Sequence, residues 1–190
     1  MTPTSFTGKY ANGPEILDAH GNVVLFHAIP ATQTATDFRA QRYAGRQVLA
    51  WWQGSGFGGL SCGTDHISDD QFSQIATVQA GHGLCADGHE FLITPSNTAL
   101  ITIVQKATAD LTAIGGSADQ TVLDGIVQEI DIATGQVLFQ WDSAGHVPYS
   151  QSEQPLPAKP GEPWDWFHLN AVKVDTDGNL LISGRHLGGL

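Results

Sequence analysis

Basic side chains are scarce in this chain: four Lys and four Arg face 14 Asp and five Glu, a formal net charge of −11 over 190 residues. Phosphate backbones are gripped by clustered Lys and Arg, so the balance argues against a nucleic-acid partner, and it repels polyanions at long range. Glu and Lys are rare, while Asp, Thr, Val, Ile and 22 Gly are plentiful, a composition of strands and turns rather than helices. An all-β fold is expected. No apolar run approaches the ~18 residues of a membrane-spanning helix, and the amino-terminal MTPTSFTGKY lacks the basic and apolar regions of a secretory signal. Cysteine is limited to Cys62 and Cys85, 23 positions apart among glycines. They are either a chance pair or a bridge worth on the order of 3 kcal/mol. Disorder is excluded by five Trp, eight Phe and three Tyr among regularly spaced aliphatic residues. The length suits a single domain over residues 1–190.

Four segments repeat one design, an apolar run, an Asp/Gly or Asn/Gly turn and a second apolar run: Glu15 to Phe26, His89 to Ile103, Ile126 to Trp141 and Phe167 to Arg185. Each predicts a β-hairpin. DAHGNVVLF at Asp18 echoes DIATGQVLF at Asp131, QVLAWWQGSG at Gln47 echoes QVLFQWDSAG at Gln136, and His89 and His168 each open a hairpin of similar length. Self-similar hairpins with recurring Trp and Gly favour a β-propeller over a sandwich. At ~40–45 residues per blade the chain holds about four blades, and it stops shortly after Arg185 without a polar cap, so a ring truncated at its C-terminus is expected. Ala31 to Arg46, with three of the four Arg, predicts a short helix or loop. Val147 to Pro163, with five of the nine Pro, predicts a long surface loop able to line a mouth or a lid.

Three clusters carry chemistry: Asp87-Gly-His89-Glu90, Asp165-Trp-Phe-His168-Leu-Asn170 and Ser183-Gly-Arg185-His186. Matching strand ends of neighbouring blades would bring His89 and His168 to one space, with Arg185 reaching it from the return strand. Two imidazoles and a guanidinium make an anion site, since Arg offers a permanently charged fork of donors and His donates, accepts or attacks near neutral pH. A structural hydrogen-bonding role is the plain alternative for either His alone. A metal site ranks lower, because no H-x-H or H-x-x-x-H pair supports it. No Gly-rich phosphate loop, G-x-S-x-G or paired-carboxylate pattern occurs, and no cofactor is expected.

The runs VLAWWQGSGFG, ADGHEFLITPSNTALIT, GIVQEIDIATGQVLFQWDS and, most specifically, DWFHLNAVKVDTDGNLLISGRH resemble the arylsulfotransferase family from about Gly13 to the C-terminus. The resemblance implies a six-bladed propeller, often exported to the periplasm or extracellular space. It also implies sulfuryl transfer from an aryl sulfate to a phenol through a sulfohistidine, without a nucleotide donor. His168 in DWFHLN and Arg185 in SGRH match family active-site positions that bind the sulfuryl oxygens and assist proton transfer; His89 in DGHEF matches another His near the site. The flanking Trp166, Asn170 and His186 are expected to bind substrate. The family's nucleophilic His follows the Arg motif on a later blade, and no residue of this sequence matches it. The chain alone is therefore expected to lack turnover unless it assembles with another chain.

A second reading is a non-catalytic propeller module that binds or assembles, including with itself, through open blade edges. A quinoprotein-like cofactor propeller is disfavoured by the lack of a metal-carboxylate set to hold the quinone.

Overall fold

The computed structural model describes residues 10–56, 60–159 and 161–188. Residues 1–9, most of the segment read for a secretory signal, lie outside the described residues. The described strands are β1 (Glu15–Leu17), β2 (Val23–Phe26), β3 (Thr34–Tyr43), β4 (Arg46–Ser55), β5 (Cys62–Ser68), β6 (Gln74–Val78), β7 (Ala86–Ile93), β8 (Thr98–Ala109), β9 (Gln120–Asp131), β10 (Val137–Asp142), β11 (Leu169–Val174) and β12 (Leu180–Gly184). Helical structure among the described residues is confined to two 3-10 turns, Thr112–Ile114 and Tyr149–Gln151. The fold is all-β, and its sheet pairings are antiparallel.

All four expected hairpins form: β1-β2, β7-β8, β9-β10 and β11-β12. Their turns are local chemistry. Asp18 Oδ1 accepts from the backbone N–H of His20 (2.8 Å) and Asn22 (2.9 Å), and Asp175 Oδ1 accepts from Asp177 and Asn179 (both 2.8 Å). An Asp carboxylate closing the loop on nearby amides, with Gly21 and Gly178 in the left-handed region, sets each turn from within a few residues of chain.

The large sheet consists of two four-stranded meanders, β3-β4-β5-β6 and β7-β8-β9-β10, joined at one residue pair, Gly63 opposite Ala86. Alternate residues of the second meander feed two different cores. Ile101, Ile103, Ile126 and Ile130 pack with Trp52, Ile67 and Phe91, whereas Leu100, Val122 and Val127 pack with Trp164, Trp166, Phe167, Leu169 and Val172. The second meander is thus buried on both faces. Each large side chain so buried contributes about 1.5–3 kcal/mol, which makes these faces the main source of cohesion between units.

The first strands of successive units pack side by side, β3 against β7 and β7 against β11. Side chains bridge them where a backbone ladder would in a sheet. Thr36 Oγ1 donates to Gly88 O (2.6 Å), Gln41 Nε2 to Phe91 O (2.8 Å), and the amides of Phe91 and Ile93 donate to Asp37 Oδ2 and Gln41 Oε1 (both 2.7 Å). Buried Glu90 of β7 pairs with Arg39 of β3 at 2.8 Å and with Lys173 of β11 at 3.1 Å, so one carboxylate ties three strands.

That seam explains a correction. The segment Ala31 to Arg46, expected as helix or loop, contains strand β3. Its polar side chains conceal the period-2 pattern because they serve the neighbouring strand, and a bulge between Thr36 and Arg39, with Asp37 at φ 53°, breaks the alternation. The Gln47/Gln136 echo also fails, since it relates the second strand of one meander to the fourth of the other. Both copies follow a tight turn, and the letters report turn chemistry. The described residues of the Val147 to Pro163 segment form a loop around the Tyr149–Gln151 turn, as expected. It is anchored, with Ser152 Oγ donating to Trp166 O (2.6 Å) and Glu153 N to His186 O (2.8 Å).

Candidate functional site

Where the meanders meet the last hairpin, a cavity of about 350 Å³ is lined by Thr34, Thr36, Trp52, Gly56, Ser61, Asp87, Gly88, His89, His168 and Arg185. The three residues expected to form an anion site therefore share one wall-to-wall space. The imidazoles of His89 and His168 stand edge to face, with centroids 5.3 Å apart and planes at 82°.

One wall comes from the start of β7. Pairing with β8 breaks between Ala86 and Phe91, and within this irregular stretch Asp87 and His89 turn toward each other, so the Asp87 carboxylate accepts from His89 Nδ1. The other Asp87 oxygen accepts from the Ser61 hydroxyl, and Ser61 Oγ accepts from Gly88 N at 3.2 Å. The bridge left open by the sequence is formed beside this cluster: Cys62 and Cys85 are joined, Cα to Cα 4.9 Å, fastening the neighbour of Ser61 to the approach to Asp87. Gly88 is required here, because a Cβ would lie 2.7 Å from Thr36 Oγ1 and 2.9 Å from the Trp52 ring.

The opposite wall is the open end of the β11-β12 hairpin. His168 sits at φ 51°, in the left-handed region that His tolerates better than most residues, and its Nδ1 lies 2.5 Å from Asp165 Oδ2. Hairpin closure brings the motifs together: Arg185 N donates to His168 O (3.0 Å) and His186 N to Phe167 O (3.2 Å). No carboxylate pairs with the Arg185 guanidinium among the described residues, whereas Arg39 is held by Asp37 and Glu90. Within the lining of this cavity Arg185 is the permanently charged cation, free to meet a ligand.

The hydrogen bond to Asp87 pushes the His89 imidazole above its usual pKa, against burial and the Arg185 charge. Burial alone would raise the Asp87 carboxyl, but the hydrogen bonds from His89 and Ser61 and the His89 charge outweigh it and hold it below the ordinary range. The β7 wall thus leans toward the imidazolium form of His89, whose charge the adjoining Asp87 carboxylate balances, and Arg185 adds a permanent cation to the lining.

The family model of arylsulfotransferase (ASST) matches residues 39–189. The chain belongs to the arylsulfotransferase family. No curated protein matches it. The family match begins within β3 and spans both cavity walls; the resemblance read from about Gly13 extends further toward the N-terminus.

The flanking residues of the arylsulfotransferase motif are placed differently from the expectation. Trp166 is fully buried among Tyr149, Trp164 and Phe167, a core residue absent from the cavity lining. Asn170 is exposed at the bulge between Leu169 and Ala171 and does not line the cavity. His186 lies behind His168, centroids 5.0 Å apart, with its Nδ1 2.5 Å from Asp165 O. Asp165, His168 and His186 each offer one ligand atom within 4.8 Å of the others. Asp165 engages the Nδ1 atoms of both rings, through its carboxylate for His168 and its carbonyl for His186, which leaves Nε2 as the open nitrogen of each.

The Pro-rich loop does not line this cavity. Its residues Leu156, Pro157, Ala158 and Lys159 border a separate space of about 440 Å³ with Gly115, Gly116 and Ser117, where no His or Arg is present. Sequence reading missed Thr34, Thr36, Trp52 and Ser61 as lining. The available signal was glycine: Gly54, Gly63 and Gly88 all leave room for the Trp52 ring, whose Nε1 donates to Ala86 O at 3.0 Å.

Proposed function

We propose that this arylsulfotransferase-family chain binds an aryl sulfate in the 350 Å³ cavity, with Arg185, His168 and His89 holding the sulfuryl oxygens. The observation that carries this reading is the convergence of two imidazoles and an unpaired guanidinium on one space. Fixed cationic donors stabilise the charge that spreads over sulfuryl oxygens as the aryl–oxygen bond to sulfur breaks, and an imidazole manages the phenolic proton. In the finer reading, an imidazole nitrogen attacks sulfur, the phenolate leaves, and a phenol acceptor then attacks the sulfohistidine, releasing the nitrogen. No histidine here matches the family's nucleophile, so the residues named are binding and proton-transfer groups. The meanders are read as blades of one propeller-type domain, six-bladed in the family, with β3, β7 and β11 as inner strands. Export to an oxidising compartment is in keeping with the Cys62–Cys85 bridge. Among the described residues no helix is long and apolar enough to cross a membrane.

The test is titration with 4-nitrophenyl sulfate, followed by incubation with phenol. Binding that weakens in Arg185→Ala and His168→Ala supports the site, and binding untouched by both sinks it. Nitrophenol release above the His168→Ala control would show that the matched residues suffice for turnover.

The assembly reading draws on the outer hairpins, where Val23 and Val24 of β2 and Val174 and Leu181 of β11-β12 are exposed. Sedimentation showing a monomer at high concentration would remove it.

A further inference from the structure

Both imidazoles of the cavity are held from behind by a carboxylate, and the geometry points to Asp87 and Asp165 as the positioning residues that fix which ring nitrogen each histidine presents to substrate. The assignment rests on the sulfuryl-binding reading of the cavity. A carboxylate accepts hydrogen bonds, so the nitrogen facing it carries the hydrogen: Nδ1 of His89 toward Asp87 Oδ2, and Nδ1 of His168 toward Asp165 Oδ2. In each ring Nε2 is then the atom left for the cavity, a lone pair in the neutral imidazole and a second donor in the imidazolium.

The Asp87 carboxylate is itself fixed, and for Asp165 it is the backbone that is held. Asp87, 2% exposed, accepts from the Ser61 hydroxyl and from the backbone N–H of His89 (3.2 Å). Asp165 is three residues before His168, and its carbonyl lies 2.5 Å from Nδ1 of His186, whose ring lies tilted at 52° beside that of His168. Neither ring can turn over about its Cβ–Cγ bond without losing its carboxylate partner. With planes at 82° and centroids 5.3 Å apart, the rings address one ligand from two directions, and Arg185 approaches from a third. Asp→Asn keeps the shape and removes this instruction, because an amide donates to Nδ1 and favours the Nε2–H tautomer.

The experiment uses the full chain labelled with 15N-histidine. Imidazole tautomers are read by long-range 1H–15N correlation, signals are assigned by His89→Gln and His168→Gln, and affinity is measured with inorganic sulfate. At a pH high enough for both rings to be neutral, both are expected as Nδ1–H in the unsubstituted protein. Asp165→Asn should move His168 alone to Nε2–H, and Asp87→Asn should move His89 alone. An Nε2–H tautomer for either ring in the unsubstituted protein overturns the assignment, as does a tautomer unmoved in a folded Asp→Asn variant. If Asp87→Asn does not fold, the tautomer of His89 in the unsubstituted protein decides. If the tautomers behave as expected but sulfate does not bind, the sulfuryl reading fails and the positioning assignment stands.

Discussion

The two walls of the cavity build the same carboxylate–imidazole pair by different means. On the β7 wall Asp87 is 2% exposed, is bonded to Ser61 and lies beside a disulfide. On the hairpin wall Asp165 is 27% exposed, and the pair depends on a left-handed His168 and on backbone bonds that close the end of β11-β12. The difference teaches that one wall is tied to the cohesion of the fold and the other to a local loop. Substitutions in the first should register in stability and those in the second in ligand binding.

Removing the bridge should have the largest effect. Cys62→Ser with Cys85→Ser is expected to lose roughly 3 kcal/mol, a drop of roughly 6–12 °C in Tm by calorimetry. The His168 tautomer should stay unchanged. An unaltered Tm would abolish the contrast between the walls.

Arg185→Lys keeps the charge and loses the planar fork. Sulfate affinity by titration calorimetry should fall roughly tenfold, about 1.5 kcal/mol, with Tm unchanged. A large fall in Tm would show the hairpin wall to be structural as well.

Ser61→Ala removes one hydrogen bond to a buried carboxylate and leaves Gly88 N without its acceptor, an expected loss of about 1 kcal/mol in urea unfolding. His89 signals should shift while His168 signals do not.

The smallest effect is a pH dependence. The raised His89 pKa contributes stability that is full below its ordinary value of about 6.5 and fades as pH rises through the raised one. The lowered Asp87 pKa contributes stability present above about 3.9 and lost as pH falls through the lowered value. The pair is therefore strongest between these limits, and Asp87→Asn should flatten both flanks of the stability profile. Asp65 has the opposite sign. It is fully buried and neither carboxylate oxygen meets a protein donor, and burial, with Asp37 and Asp87 nearby, raises its pKa well above the usual range. Asp65→Asn should raise stability at pH 8 more than at pH 4; an equal gain at both would show that the carboxyl ionises normally.

The four hairpins were legible because their turns are decided within a few residues, by Asp18, Asp131 and Asp175, and at the β7-β8 turn by Thr94, accepting from amides just ahead of them. The pairing of His168 with Arg185 was legible for the same reason, since the two ends of one hairpin must meet. Strand β3 was not, because Thr36, Asp37 and Gln41 are polar for the sake of β7, more than 50 residues away in the chain for each bond. Trp166 misled for a related reason: an aromatic beside a site motif packs equally well into the core, and only its neighbours Tyr149 and Trp164 determine which.

By itself the sequence determined an all-β chain with four hairpins, an acidic surface and a small set of His and Arg suited to an anion, since composition and turn chemistry act locally. Tertiary structure alone decided that Cys62 meets Cys85, that Ser61 and Asp87 brace His89, and that Trp52 closes the cavity wall. Those contacts join segments on different strands, and which strands become neighbours is set by burying both faces of the second meander at once.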